Sequence, residues 1–157
     1  MERSCLRPFE DKDVDLLRRW LAREHVARWY EDPEDWIAEA QGRHGPFDWI
    51  RHFIAVCGEV DIGFCQYYPY EKSGEDWHGS VDTAGTFSLD YLIGEPDHLG
   101  KGMGRAMVES LVSRIAQEPG VRRAIGLPDQ DNAASCHTLM SAGFRYDEEN
   151  RLYLLEL

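Results

Sequence analysis

The sequence predicts a mixed α/β domain built on one central sheet, and three observations carry that reading. Apolar residues switch between a period near two and a period near 3.6, in the order strand, two helices, three strands, helix, strand, helix, two strands. A glycine cluster stands at one strand-to-helix turn. The 157 residues match the size of one domain, and no repeat, low-complexity tract or linker divides them, so residues 1–157 read as a single domain. A hydrophobic share of 43%, with 11% aromatic residues, argues against wholesale disorder despite 29% charged residues.

Ser4 to Phe9 is the first strand, interrupted at Pro8. The acidic run Glu10 to Asp13 caps a helix with an apolar face of Val14, Leu17 and Leu21, which extends to about Arg23. A second helix starts at Asp32-Pro33-Glu34 and ends near Gly42. His25 to Tyr30 lies between the two, and Gln41 to Pro46 reads as a loop. Phe53 to Cys57 and Val60 to Tyr70 flank Gly58-Glu59 as an antiparallel hairpin. After a polar loop from Glu71 to Thr83 come a strand, Gly85 to Ile93, and a helix from about Gly102 to Gln117 faced by Met107, Leu111 and Ile115. Val121 to Leu127 is the next strand. Asp131-Asn132 caps the last helix, Gly143 stops it, and Phe144 to Leu157 closes the chain as a hairpin.

With 29 acidic against 17 basic residues, the net charge of −12 repels phosphate backbones and anionic membranes, so neither nucleic acid nor a membrane is an expected partner. Two readings of the acidity stand side by side: solubility alone, or a field that attracts a cationic substrate. Cys5, Cys57, Cys65 and Cys136 are scattered singly among apolar neighbours without a CxxC pair, which predicts buried thiols and no metal. Nothing approaches the ~20 apolar residues of a membrane span, and Glu2 and Arg3 have no apolar stretch behind them, so a cytoplasmic location is expected. No heptad run or apolar stripe speaks to oligomeric state.

The most informative segment is Leu99-Gly100-Lys101-Gly102-Met103-Gly104, directly after a strand and at the head of an amphipathic helix. Glycine allows close backbone approach and positive φ, and a helix N-terminus presents free N–H groups with about half a positive charge. Such a turn suits a pyrophosphate. It is not a Walker A loop, because no GxxxxGK followed by Ser or Thr exists in the chain. Nor is it a GxGxxG dinucleotide turn, which needs a third glycine and the first strand of a βαβ unit.

Loop and helix resemble the acyl-CoA pyrophosphate motif of the GNAT acyltransferase superfamily, with Gly102 and Gly104 in the glycine positions and Leu99 in place of the usual Arg or Gln. Asp90-Tyr91-Leu92-Ile93-Gly94-Glu95 followed by Gly100-Lys101-Gly102-Met103-Gly104 is similar to the pattern of the aminoglycoside 6'-N-acetyltransferases. Trp20-Leu21, His25-Val26, Trp29-Tyr30, Gly58-Glu59, Ile62-Gly63, Gln66, Asn132 and Ala142-Gly143-Phe144 resemble that subfamily in order and spacing. The resemblance implies a mostly antiparallel sheet whose parallel fourth and fifth strands splay, with acetyl-CoA wedged between them. Backbone groups around Leu92 and Ile93 would hold the pantetheine arm and thioester carbonyl. Leu99, Gly100, Lys101, Gly102, Met103 and Gly104 would hold the pyrophosphate, and Asn132 would join the cofactor site.

By the same resemblance Asp90 is the catalytic carboxylate, orienting the amine and relaying its proton. Trp29, Tyr30, Gln66, Asp76 and Trp77 would line the substrate cleft, where aromatic planes and carboxylates suit a sugar bearing ammonium groups. The tyrosine acid that the superfamily often carries four residues before the helix-ending glycine is replaced by Leu139, with His137 and Tyr146 nearby in sequence. A further subfamily carboxylate is replaced by Leu127. The resemblance implies acetyl transfer to a primary amine of a polycationic small molecule. A siderophore-type hydroxylysine N-acyltransferase and a non-catalytic acyl-CoA-binding module are the alternatives.

Overall fold

The computed structural model describes residues 4–157, with side chains from Leu6 onward, so the expectation of a buried Cys5 thiol lies outside the described residues. Seven strands form one sheet in the order β1-β2-β3-β4-β5-β7-β6. They are β1 (Ser4–Pro8), β2 (Arg51–Cys57), β3 (Val60–Pro69), β4 (Thr86–Ile93), β5 (Arg123–Gly126), β6 (Arg145–Asp147) and β7 (Leu152–Glu156). All neighbours pair antiparallel except β4 and β5. The β4–β5 ladder is short: Thr86 faces Arg123, Phe87 faces Ala124 and Ser88 faces Ile125. As β4 continues to Ile93, it leaves β5 after these three pairs, and the sheet opens into a gap.

Five helices cover the two faces: α1 (Val14–Ala22), α2 (Glu24–Ala27), α3 (Pro33–Gln41), α4 (Met103–Ile115) and α5 (Ala133–Ser141). Strand alternation decides which side chain meets which layer. Ile54, Phe64 and Leu92 pack with Leu17, Trp20, Leu21 and Ile37 of α1 and α3. Ala55, Cys65, Leu89 and Ala124 point the other way and pack with Met107, Val108, Leu111 and Ile115 of α4 and Leu139 of α5. Each large side chain buried this way contributes about 1.5–3 kcal/mol. Cys57 and Cys65 are buried and Cys136 is partly exposed.

The acidic start signal acts through a capping box. Glu10 and Asp13 bracket a short 3₁₀ turn ahead of α1, and Asp13 Oδ2 accepts from the Glu10 N–H at 2.8 Å. Arg7 grips both Asp13 oxygens at 2.8 Å and Asp61 at 3.0 Å, which ties β1 to the turn and to β3. Several boundaries differ from expectation, three of them with a visible cause. The His25 to Tyr30 segment overlaps the extra single turn α2, whose Val26 and Ala27 N–H groups bond to Arg23 O. β5 is shorter than Val121 to Leu127, because its four residues are those that pair with β7. Helix α4 stops at Ile115, beyond which the Gln117 and Glu118 N–H groups bond three residues back, to Arg114 O and Ile115 O. Among the described residues, no helix is long and apolar enough to cross a membrane.

Candidate active site

The gap is lined by the free edge of β4, and its backbone parity fixes what that edge offers. Gly94 N–H donates to Ile62 O at 2.8 Å, so the even-numbered residues of β4 bond towards β3 and Tyr91 and Ile93 face the gap. Their carbonyls are occupied by side chains from the helical layer: Tyr30 donates its hydroxyl to Tyr91 O, and His25 Nε2 donates to Ile93 O at 2.9 Å. No strand stands opposite the N–H groups of Tyr91 and Ile93. The Leu92 backbone, by contrast, belongs to the β3 ladder opposite Phe64. Of the expected backbone pair Leu92 and Ile93, only Ile93 turns its backbone to the gap; Tyr91 takes the other place, and Leu92 contributes a side-chain wall.

The Ile-Gly-Glu segment locks this edge in place. A Cβ on Gly94 would stand 2.1 Å from Trp20 Cγ, so only glycine lets the strand press onto that indole. Trp20 Nε1 donates to Glu95 Oε2 at 2.7 Å, and Arg23 donates to Gly94 O at 2.8 Å while pairing with Glu95 at 3.3 Å. The motif residues are thus scaffold for the gap.

One groove, of about 280 Å³, runs along the gap to the head of α4, and Leu92, Ile93, Leu99, Gly104 and Asn132 are among its walls. Gly100 and Gly102 adopt φ of 71° and 79°, and a Cβ at either would meet nothing within 4 Å, so their exposed backbone borders open space. No side chain among the described residues caps α4, whose first-turn N–H groups therefore lack a side-chain acceptor. Lys101 is exposed beside them. Met103, 7% exposed, turns its side chain into the core, and Gly100, Lys101, Gly102 and Met103 are not among the groove's walls. Asn132 accepts the Ser135 N–H at 3.2 Å and caps α5 while forming part of the wall.

A second cavity, of about 420 Å³, opens from the same gap and is walled by Trp29, Tyr30, Trp36, Asp90, Leu127, Asp129 and Leu139. Tyr30 and Trp36 meet edge to face at 5.1 Å. Gln66 Nε2 donates to Asp90 Oδ2 at 3.0 Å. Burial pushes the Asp90 carboxyl up to about 6; the Gln66 hydrogen bond opposes this and the Glu75 charge adds to it. Gln66 itself is 2% exposed, so it stands behind Asp90 and is not a wall of the cavity. Beyond lies a wider groove of about 1040 Å³ containing Trp29, Trp77, Asp129, Asp131, Tyr146 and Tyr153. Trp77 faces it, whereas Asp76 is exposed on the loop and is not among the walls of these three cavities.

Arg28, Trp36, Tyr91, Asp129 and Ser135 are site residues that the sequence reading passed over. Tyr91 had a visible signal, since strand alternation sends the neighbour of Asp90 to the opposite side of the same opening. Among the described residues, no group of three or more His, Cys, Asp or Glu could hold a metal ion.

An open parallel ladder, a donor-rich strand edge and an uncapped helix N-terminus together define an acyl-transfer site. The model of the acetyltransferase (GNAT) domain family matches residues 10–152. The chain belongs to the GNAT acetyltransferase family, and acetyl-CoA is its co-substrate. It is 28% identical over 145 residues to the aminoglycoside N(6')-acetyltransferase type 1 of Klebsiella pneumoniae and to that of Serratia marcescens, covering 88% of this chain and 72% of each relative. The crystal structure of aminoglycoside acetyltransferase AAC(6')-Ib in complex with coenzyme A and kanamycin matches with a TM-score of 0.81 at 25% identity, over 98% of this chain and 94% of that one. The aminoglycoside N(6')-acetyltransferase of Legionella pneumophila has the same fold, with a TM-score of 0.73 at 21% identity over 100% and 92% of the two chains.

Proposed function

We propose that this acetyltransferase acetylates a primary amine of a polycationic small molecule, with an aminoglycoside 6'-amine as the acceptor that its relatives' names point to. The observation that carries the reading is the set of carboxylates in the walls, Glu31, Asp90 and Asp129 in the aromatic cavity and Asp129 and Asp131 in the wider groove, with Glu39 and Glu75 behind Asp90 as charges that are not walls of the aromatic cavity. Burial, and then the charges of Asp90, Glu75 and Asp35, push the Glu39 carboxyl up to about 7. Glu75 in turn accepts from the buried Tyr68 hydroxyl at 2.5 Å. An acceptor with several ammonium groups relieves this repulsion, and Trp29, Trp36 and Trp77 offer faces for its rings. Where the resemblance lacks a carboxylate, at the exposed Leu127, Asp129 and Asp131 follow within four residues and line the wider groove.

In this reading the pyrophosphate lies on the α4 N-terminus with Lys101, the thioester carbonyl oxygen meets the gap-facing N–H of Tyr91, and the N–H of Ile93, about 7 Å further along the strand, meets the pantetheine arm. A fixed N–H donor at the carbonyl stabilises the charge that develops as the amine attacks. Asp90 holds the amine and takes its proton, with Gln66 fixing the carboxylate.

Two measurements test the placement. Gly104→Val puts a Cβ 3.3 Å from Thr138 Cγ2 and narrows the groove that both residues line, without the positive-φ strain of Gly100 or Gly102. CoA affinity measured by calorimetry is expected to fall at least tenfold, ~1.4 kcal/mol; unchanged affinity in the folded variant overturns the cofactor assignment. For the acceptor, KM of a tetra-amine aminoglycoside is expected to climb steeply with salt as the Debye length shrinks from ~10 Å at 0.1 M to ~3 Å at 1 M. A mono-amine analogue should respond weakly. Equal salt slopes would refute an acidic cleft tuned for polycations.

A further inference from the structure

We propose that the Tyr91 hydroxyl, held in place by Ser135, protonates the sulfur of CoA as the thioester breaks. The inference rests on the thioester placement given above and is independent of which amine accepts the acetyl group.

The donor groove and the acceptor cavity share six wall residues: Arg28, Trp29, Tyr30, Tyr91, Asn132 and Ser135. Acetyl passes from one ligand to the other where these walls meet. The side-chain hydroxyls at this junction are those of Tyr30, Tyr91 and Ser135. The Tyr30 hydroxyl donates to the Tyr91 carbonyl. The Tyr91 hydroxyl donates to Ser135 O at 3.1 Å and has Ser135 Oγ at 2.6 Å, a hydroxyl that can donate back to it, so its oxygen keeps a donor once its own proton is given up, and the β4 side chain crosses the opening to the first turn of α5. His137 is exposed on α5 and Tyr146 belongs to the wider groove, and neither is a wall of the junction.

Position along β4 separates the two proton-handling groups. Asp90 and Tyr91 are consecutive, so their side chains emerge on opposite faces of the opening, one beside α3 and the other beside α5. Both line the acceptor cavity, whereas Tyr91 alone also lines the donor groove. Burial holds the Tyr91 phenol well above its ordinary range, with the Ser135 hydrogen bond opposing, so the group is protonated at working pH and its phenolate has a donor ready.

The step balances. The amine nitrogen bonds to the acetyl carbon and gives a proton to Asp90. The carbon–sulfur bond breaks with its electron pair going to sulfur, and the Tyr91 proton goes to the same sulfur. Amide, CoA thiol, protonated Asp90 and Tyr91 phenolate result, and a proton passing through solvent from Asp90 to Tyr91 restores the enzyme.

The test compares the parent with Tyr91→Phe, Ser135→Ala and a variant carrying a ring-fluorinated tyrosine at position 91. Tyr91→Phe is expected to lower kcat by about tenfold or more, with both KM values within about twofold. Slow release of CoA thiol from acetyl-CoA to water, measured without any amine, should fall in parallel. The parent, whose phenol is held well above its ordinary range, should show no alkaline fall in kcat; the fluorinated phenol is far more acidic and should introduce one, whereas Ser135→Ala, which removes a donor to the phenolate, should introduce none. Apart from turnover, the thiol of bound CoA titrated by ultraviolet absorbance should ionise about one pH unit lower in the parent than in Tyr91→Phe, since a hydroxyl donor stabilises the thiolate. If Tyr91→Phe keeps parental thiol release and the fluorinated variant shows no alkaline fall, Tyr91 is not the acid. If CoA no longer binds Tyr91→Phe, the fluorinated variant decides by whether the alkaline fall is present. Unchanged CoA affinity in the Gly104→Val test bears instead on the cofactor placement.

Discussion

Asp90→Asn is expected to lower turnover by about 10²-fold or more while CoA affinity stays within about twofold, because the side chain handles the amine proton and not the cofactor. The pH dependence follows from the carboxyl being pushed up to about 6 by burial. The parent's kcat/KM should rise with pH through about 6 and then level, and the Asn variant should lack that rise. Stability should move the other way. A carboxyl with a folded pKa above its unfolded value contributes stability that is present below the unfolded pKa and lost as pH rises through the folded one. Replacing Asp90 by Asn, which keeps the acceptor for Gln66, should therefore leave the variant at least as stable as the parent at pH 8 and give no gain at pH 4. An inactive variant of equal or higher stability marks a group kept for chemistry. A fully active variant would remove Asp90 from the mechanism.

Gly94→Ala is expected to produce a large loss of stability from a single methyl group. The new Cβ would stand 2.1, 2.3 and 2.2 Å from Trp20 Cγ, Cδ1 and Cδ2, and Trp20 is fully buried with its indole N–H bound to Glu95. The indole has nowhere to go without breaking that bond. Overpacking of this kind costs roughly 3 kcal/mol, a fall of about 6–12 °C in Tm. CoA affinity should drop with it, because the displaced segment includes the Ile93 edge of the groove. Thermal unfolding that places the variant within about 2 °C of the parent would refute this account of the motif.

The sequence carried the element order and the glycine turn at the head of α4 because both depend on local signals. The spacing of Val14, Leu17 and Leu21, the Gly58-Glu59 turn and the glycines before Met103 each act within one or two turns of chain. Roles set by register across the sheet were not legible. Gln66 looks like a cleft residue until its pairing opposite Asp90 places it behind the carboxylate. Leu92 and Tyr91 exchange roles on a shift of one residue in backbone parity, which only the Gly94 to Ile62 hydrogen bond reveals. Glu39 is an ordinary helix glutamate by sequence, and its raised proton affinity comes first from burial and then from Asp90 and Glu75, which are distant along the chain.

The three-pair ladder between β4 and β5 also has a mechanical consequence. Strands β1 to β4 and strands β5, β7 and β6 form two panels joined along a short seam, with α4 lying between them in the chain. A ligand seated in the opening bridges both panels and supplies hydrogen bonds where the ladder ends. Its stabilisation, which grows as RT ln(1 + [L]/Kd), is thereby delivered across the seam and not to one panel. Amides of β7, on the panel that does not contain Asp90, should then gain protection from hydrogen exchange when CoA is added, which makes the co-substrate a structural clasp as well as a donor.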